Sequence, residues 1–238
     1  MNSSYRKIAV ILPTLNEKAN LELLLPKILE IPEVSIVIIV DDNSTDGSKE
    51  YFEAVGSDRV LIVNRPSRLG IGSAHYDGLL KAKDIGADLI ITMDADGTHR
   101  TEDLRRIIDF RKKYDILVGS RYEEGGEIFG WGIFRYLLTK IGHVATSVFF
   151  KTDLDMSSGM RAYITSSIPF EKLKENCTAD YSYFFISLLV YRKANLGIAQ
   201  IPIKLSFRRN GSSKMVPTLM LTGVYTLFLY GTKIKRLK

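Results

Sequence analysis

Leu89-Ile90-Ile91-Thr92-Met93-Asp94-Ala95-Asp96 decides the fold. A mostly apolar run that ends on two carboxylates one residue apart reads as a buried strand delivering negative charge to the carboxyl edge of a sheet. Open α/β sheets bind their ligands at that edge. Paired carboxylates there hold a hard divalent cation, and the cation in turn holds phosphate. A second stretch repeats the pattern. Residues 34–40 are almost wholly apolar and run into Asp41-Asp42-Asn43-Ser44-Thr45-Asp46-Gly47. Two strands ending in acid, in a chain of net charge +6, point to a site for a metal-bound nucleotide.

Around these stretches, strands and helices alternate through the first 120 residues. Residues 7–12, 34–40, 60–63, 89–93 and 116–118 have the apolar character of strands, and residues 17–29, 45–55, 72–85 and 101–113 have helical spacing. Leu21, Leu24, Leu25 and Ile28 mark the apolar stripe of the first helix. Ser44 or Thr45 is expected to cap the second. Glu102 and Asp103 fall in the first turn of the fourth, where carboxylates favour the helix dipole. Strands separated by helices of this length imply βαβ units. The expected fold class is therefore α/β, a mostly parallel central sheet flanked by helices.

With 238 residues, 45% of them hydrophobic, the chain has enough apolar material for one α/β domain of generous size. Lone Cys177 excludes an intrachain disulfide and a cysteine-built zinc site, and suits a reducing compartment. The short polar N-terminus leads directly into a strand, so no signal peptide is expected. The basic excess calls for a phosphorylated substrate or an anionic membrane. No helix-turn-helix pattern or RNA-binding aromatic signature is present, so nucleic acid is not an expected partner.

The second half changes character. Residues 129–150 are rich in aromatic and aliphatic side chains, contain no acid, and are interrupted by charge or imidazole only at Arg135, Lys140 and His143. Residues 215–232 carry no charge and precede Lys233-Ile234-Lys235-Arg236-Leu237-Lys238. A membrane span needs about 20 apolar residues. Here Pro217 and two glycines interrupt the run, and Thr218, Thr222, Thr226 and Tyr230 share one helical stripe. An interfacial amphipathic helix fits better, with its basic tail drawn to anionic headgroups. A core-facing amphipathic helix is the other reading. The expected division is a catalytic domain over 1–212, including an acceptor and membrane-interface segment at 129–150, and a membrane-associating segment over 213–238.

Four motifs carry the chemistry. In Pro13-Thr14-Leu15-Asn16-Glu17, Pro13 ends the first strand and Asn16 is expected to cap the next helix, beside the acidic clusters where a nucleobase would lie. The Asp41 to Gly47 run reads as a turn with a helix cap, or as base and ribose recognition. Adjacent aspartates repel, which favours recognition. Arg65-Pro66-Ser67-Arg68-Leu69-Gly70-Ile71-Gly72-Ser73-Ala74 joins a strand to a helix and resembles a glycine-rich phosphate loop without matching GxGxxG. Arg68 beside the helix N-terminal amides suits a diphosphate. At Asp94-Ala95-Asp96, Mg²⁺ or Mn²⁺ would bridge to the diphosphate and neutralise charge on the leaving group. Thr98 and His99 follow as candidate ligands.

Together with Gly119-Ser120-Arg121-Tyr122, these motifs resemble family 2 glycosyltransferases in kind and order, and within them the dolichol- and polyprenyl-phosphate mannose synthases. Gly130-Trp131 with Arg135, Asp155 with Ser158-Gly159, and Arg208 with Gly211-Ser212-Ser213-Lys214 extend the likeness. The resemblance implies a GT-A-type fold, a nucleotide-diphosphate sugar donor and inversion at the anomeric carbon. GDP-mannose is the default donor, and a UDP-hexose the second choice. The implied acceptor is a polyprenyl or dolichyl phosphate, reached from the cytoplasmic face of a membrane by a peripheral enzyme, with room for a membrane-protein partner. Residue by residue, Pro13, Leu15, Glu17, Asp42 and Asp94 match nucleotide-contacting positions, and Asp41, Arg68 and Ala95 belong to the same candidate donor site. Asp96 matches the principal metal ligand, with Asp94 and Thr98 beside it. Arg121 and Arg135 match basic positions near the reacting phosphates and the acceptor. Ser158 and Gly159 match an acceptor-side loop, and Arg208 and Lys214 a segment that closes on the diphosphate. The implied catalytic set is Asp96, Arg121, Arg135, Arg208 and Lys214. The chain departs from the pattern at Leu15, where the family has tyrosine, at Gly97-Thr98, where it has Leu-Gln, and at Arg100-Thr101, where it has Pro-Pro.

Elementary chemistry also favours a phosphate acceptor. A phosphate monoester is already anionic and needs cations, not a base, to attack an anomeric carbon. A hydroxyl acceptor needs a general base. For that alternative, extension of a saccharide hydroxyl, the candidate is Asp180 in Thr178-Ala179-Asp180-Tyr181, which a helix N-cap explains equally well. A non-catalytic nucleotide-sugar-binding subunit is a further alternative.

Overall fold

The structure is a computed structural model that describes residues 6–110, 113–208 and 210, without the side chains of Phe134, Arg135 and Leu138. Lys214 and the whole of the expected 213–238 segment lie outside the described residues.

Apolar runs without polar alternation become strands covered on both faces. They are β1 (Ile8–Thr14), β2 (Val34–Asp41), β3 (Val60–Asn64), β4 (Leu89–Thr92) and β5 (Ile116–Ser120). Helices α1 (Lys18–Leu29), α2 (Ser48–Val55), α3 (Ile71–Asp84) and α4 (Thr101–Ile108) connect them. After β5 come β6 (Glu127–Ile128), α5 (Ile133–Phe150), β7 (Arg161–Ile164), α6 (Phe170–Glu175), α7 (Ser182–Lys193), β8 (Ile198–Pro202) and β9 (Lys204–Leu205). The main sheet has seven strands in the order β3-β2-β1-β4-β7-β5-β8. Every neighbouring pair is parallel except those made by β7, which runs antiparallel between β4 and β5. The expected mostly parallel α/β sheet is therefore what forms. β6 and β9 pair separately and carry the chain from Ser206 to Arg208 back over the sheet edge, where Ser206 N–H donates to Thr98 O at 3.1 Å.

Alternate residues of β1 face opposite cores. Val10 and Leu12 meet Leu21, Leu25 and Ile28 of α1 and Leu104 and Ile107 of α4 in one apolar cluster. Ala9 and Ile11 meet Ala74, Leu79 and Ala82 of α3 and Leu188 and Tyr191 of α7 in the other. Helices bury both faces and leave the carboxyl edge of the sheet open to a ligand.

Three local expectations are corrected. Helix α2 begins at Ser48, not at residue 45, because Ser44 turns back to bond Asp41 while Asp46 Oδ1 accepts the Ser48 N–H at 3.1 Å. Asn16 does not cap α1. Its Oδ1 accepts Thr45 N–H at 2.7 Å, and the α1 end is capped from across the loop by Asp46 Oδ2, which accepts Lys18 N–H at 2.9 Å. Helix α4 stops at Ile108, not at residue 113.

Helix α5 occupies most of the apolar 129–150 segment. Ile133, Leu137, Ile141, Val144 and Val148 are all exposed and recur at three- and four-residue spacing, so they form one apolar stripe. Among the described residues no helix is long and apolar enough to cross a membrane.

Candidate active site

A cavity of about 480 Å³ opens at the carboxyl ends of β1, β2 and β4. Of the site residues expected from sequence, Pro13, Leu15, Glu17, Asp42, Arg68, Asp94, Ala95, Asp96, Thr98, Arg121, Ser158, Gly159 and Arg208 line it, as do His99 and Asp180. Asp41 does not. The Arg135 side chain and Lys214 lie outside the described residues.

The acids converge where β1 and β4 end. Asp96 Oδ1 accepts the Thr98 N–H at 3.0 Å and the Thr98 hydroxyl at 2.7 Å, so Thr98 orients this carboxylate. Arg208 reaches in from the segment after β9. Its Nη2 bonds Glu17 Oε1 at 2.5 Å and its Nη1 lies 3.5 Å from Asp96 Oδ2, while Nε donates to Asn210 O at 2.7 Å. His99 is buried, and its Nδ1 accepts the Asp94 N–H at 2.8 Å. That bond occupies Nδ1 and withdraws it from any metal. Desolvation by the cavity walls around it is the main force raising the Asp94 carboxyl above its usual range. His99 and Arg121 oppose the rise, and Asp96 and Glu17 add to it. A cation shared by Asp94 and Asp96 would relieve this strain on the charged form.

The donor set fits such a cation. Among the described residues no trio of histidine, cysteine, aspartate or glutamate converges. The two side chains Asp94 and Asp96 stay partly exposed to the cavity, 36% and 22%. Two hard oxygen ligands, completed by phosphate and water, are what Mg²⁺ or Mn²⁺ takes. Gly159 lies directly against this pair: a Cβ there would stand 2.9 Å from Asp94 Oδ1.

The acidic run after β2 has duties in the fold. Asp41 accepts both the N–H (3.0 Å) and the hydroxyl (2.5 Å) of Ser44, closing a turn. Asp42 is buried against Arg65, with Oδ1 to Nη1 at 2.6 Å, and also accepts the N–H groups of Leu69 (2.8 Å) and Gly70 (2.9 Å). Arg65 Nη2 in turn donates to Ser73 Oγ at 2.7 Å. Repulsion between adjacent aspartates is thus offset by separate partners, and the turn reading accounts for most of the run. Asp42 keeps only an edge on the cavity.

The glycine loop also has a packing duty. A Cβ on Gly72 would lie 2.1 Å from Thr178 O, and the Gly72 N–H already donates to Ala179 O at 3.0 Å. The glycines let residues 178–180 cross the start of α3. That amide is therefore not available to a phosphate, and Arg68 sits exposed at the rim.

Arg121, also at the cavity lining, grips the Asp155 carboxylate with Nε and Nη2 at 2.7 and 2.6 Å, and Nη2 also bonds Ser157 Oγ. Burial would raise the Asp155 carboxyl, but Arg121 holds it below its usual range. Asp155 N–H donates to Gln200 Oε1 at 2.8 Å. Arg121 is therefore held in place by Asp155 and Ser157 at the cavity lining. Asp180 Oδ1 accepts the N–H (2.9 Å) and hydroxyl (2.5 Å) of Ser182, the first residue of α7, as a helix cap does.

Sequence reasoning missed Tyr181 and Phe184, which line the cavity from the start of α7. Burial, reinforced by Asp94 and Asp96, pushes the Tyr181 phenol up to about 12, so it stays a neutral donor. The only signal for it in the sequence was its place beside Asp180.

Residues 9–168 match the sequence profile described as Glycosyl transferase family 2. Undecaprenyl-phosphate mannosyltransferase of Micrococcus luteus is 29% identical over 214 residues, covering 88% of this chain and 87% of that protein. Polyprenol monophosphomannose synthase of Mycolicibacterium smegmatis is 32% identical over 218 residues, covering 88% and 81%. Among solved structures, glucosyl-3-phosphoglycerate synthase of Mycobacterium tuberculosis in complex with Mn²⁺, UDP-glucose and phosphoglyceric acid superposes with a TM-score of 0.72 at 18% identity, over 95% of this chain and 80% of that one. The shared architecture is the GT-A-type fold.

Proposed function

Because the chain belongs to glycosyl transferase family 2 and is a glycosyltransferase, we propose that it moves a hexose, mannose by default, from a nucleotide-diphosphate sugar to a polyprenyl or dolichyl phosphate, with inversion at the anomeric carbon. GDP-mannose is the first-choice donor and a UDP-hexose the second. The names of the Micrococcus and Mycolicibacterium relatives support the lipid phosphate acceptor.

The observation that carries the reading is the meeting of carboxylates and arginines in one cavity. The acids Glu17, Asp94 and Asp96 share the cavity lining with the cations Arg121 and Arg208 and with Ser158 and Gly159. A phosphate oxygen of the acceptor attacks the anomeric carbon while the bond from that carbon to the diphosphate breaks and the electron pair leaves with the diphosphate. No proton has to be removed from the nucleophile. Arg121 brings the anionic acceptor toward the donor, and Arg208 holds the departing diphosphate. Mg²⁺ or Mn²⁺ bound by Asp94 and Asp96, when present, neutralises charge on that diphosphate. Arg135 and Lys214 take the acceptor-side and diphosphate-side roles that the family resemblance assigns. The α5 stripe and the basic 213–238 segment rest on the cytoplasmic surface of an anionic membrane, beside a membrane-protein partner where one is needed.

Asp180 lines the cavity, which is the observation in favour of a saccharide hydroxyl acceptor. Its engagement with Ser182 counts against that role. The test is transfer of label from a panel of GDP- and UDP-sugars, with Mn²⁺ or Mg²⁺, to a short polyprenyl phosphate. Label in the organic phase from one donor, lost in Asp96→Asn, supports the proposal and names the sugar. Donor hydrolysis without a lipid product overturns it.

A further inference from the structure

Arg161, the first residue of β7, is fully buried. Its guanidinium meets only neutral groups: Nη1 donates to Ser187 Oγ at 2.8 Å, and Nη2 to Phe184 O at 2.7 Å and Met156 O at 3.1 Å. Among the described residues no carboxylate comes within ion-pair distance of it, and its further polar neighbour is the neutral Tyr163 hydroxyl. The neighbouring titratable groups supply no counter-charge. Burial, with Arg161 adding to it, pushes His75 down to about 3, and burial pushes the phenols of Tyr163, Tyr183 and Tyr191 up. An unpaired buried ion is costly to the fold. Such a cost persists where the charge is used.

The position of the charge indicates its use. Arg161 Cζ lies 5.5 Å from the centroid of the Phe184 ring, and that ring lines the cavity. Met156, whose carbonyl Arg161 holds, directly precedes Ser157-Ser158-Gly159 on the cavity wall. We propose that Arg161 is a positioning residue for the anionic acceptor, setting a positive potential behind Phe184 and the 157–159 loop while tying that loop to α7. The proposal rests on the phosphate-acceptor reading above. An anion in the cavity on the order of 10 Å from Cζ feels one unit charge, at an effective dielectric of ~20, as a change in affinity of about tenfold or more.

Two full-length variants separate charge from tether. Ser187→Asp supplies the missing counter-ion and keeps Arg161 bonded. Arg161→Gln removes the charge. Both are expected to raise the KM for a short polyprenyl phosphate about tenfold and to leave the dissociation constant of the nucleotide sugar unchanged. They should move the melting temperature in opposite directions, Ser187→Asp upward. A Ser187→Asp protein with wild-type acceptor KM overturns the proposal, since a purely structural tether would be preserved in it. So does a parallel loss of donor affinity. Should Arg161→Gln fail to fold, Ser187→Asp alone decides. If wild-type protein transfers nothing to polyprenyl phosphate, the acceptor reading has failed. Calorimetry with inorganic phosphate on protein loaded with the nucleoside diphosphate then carries the comparison: about tenfold weaker phosphate binding in Ser187→Asp supports the role of Arg161, and equal affinity overturns it.

Discussion

Replacing Gly72 with alanine tests whether the glycine loop exists for packing. In a helix the substitution is ordinarily favourable by up to about 1 kcal/mol. Here the new Cβ would stand 2.1 Å from Thr178 O, 2.6 Å from Tyr183 Cβ and 2.8 Å from Asp180 O. Two of those atoms are backbone and the third is the root of a buried side chain, so none can rotate away. Relief requires residues 178–180 to back off from α3. Overpacking of this kind costs about 1–3 kcal/mol, and stretching the 3.0 Å bond from Gly72 N–H to Ala179 O costs about 1 more. Against the propensity gain, net destabilisation is about 1–3 kcal/mol, which lowers the melting temperature by roughly 3–10 °C in a chain of this size. Because Leu69 to Ile71 and Ala179 to Tyr181 line the cavity from adjoining walls, donor affinity should fall too. Gly142 in α5 is the control, since among the described residues nothing lies within 4 Å of a Cβ built there. Gly142→Ala should be neutral or stabilising by up to about 1 kcal/mol. Thermal and urea denaturation of both variants, with nucleotide titration, reads the outcome. A Gly72→Ala protein as stable as wild type, with unchanged nucleotide affinity, refutes the packing account and returns the loop to phosphate binding.

Asp42→Ala removes the 2.6 Å partner of buried Arg65 but leaves its 3.0 Å pair with Asp77, and urea denaturation should show a loss of about 1–3 kcal/mol. A loss below about 1 kcal/mol would contradict the anchoring role, because the amides of Leu69 and Gly70 lose their acceptor as well. Acidification should destabilise the fold through His75. Its folded pKa is about 3 and its unfolded value about 6.5, so between those limits only the unfolded chain binds the proton. Stability is complete above pH ~6.5 and falls by about 1.4 kcal/mol per unit below it, a slope that His75→Gln should flatten in denaturation midpoints measured from pH 7 to 5. Asp180→Asn keeps a side-chain acceptor for Ser182 and should change transfer by under about threefold, against the roughly 10²–10⁴ loss expected of a general base. Asp180→Ala should cost about 1 kcal/mol through the lost cap.

How far the sequence was legible depended on whether a residue's role was set locally. Apolar runs ending in acid marked β2 and β4, because a strand buried on both faces has no other composition open to it. Those two ends, with the turn after β1, located the cavity. Glu17, Asp94, Asp96 and Arg121 meet there from segments far apart in the chain because parallel strands bring their carboxyl ends to one edge. What stayed hidden was partner choice across loops. Nothing near Asp46 announces that it caps α1 as well as α2, and nothing near Gly72 announces the crossing of residues 178–180. Asp42 read as a ligand-binding acid because its partner, Arg65, arrives from the end of another strand. The antiparallel β7 and the short pair β6 and β9 gave too little periodicity to be read. Nothing local in the sequence marks Arg161, in a four-residue strand, as a buried charge.

The measurement that bears most directly on the central claim compares two acceptors differing only in the phosphate. Purified protein, Mn²⁺ and the labelled sugar nucleotide are incubated with a short polyprenyl phosphate or with the corresponding free polyprenol. The account predicts label in the lipid product from the phosphate alone, because an anion attacks without a base and a hydroxyl does not. Equal transfer to the free alcohol, or transfer only to an added saccharide, would contradict it.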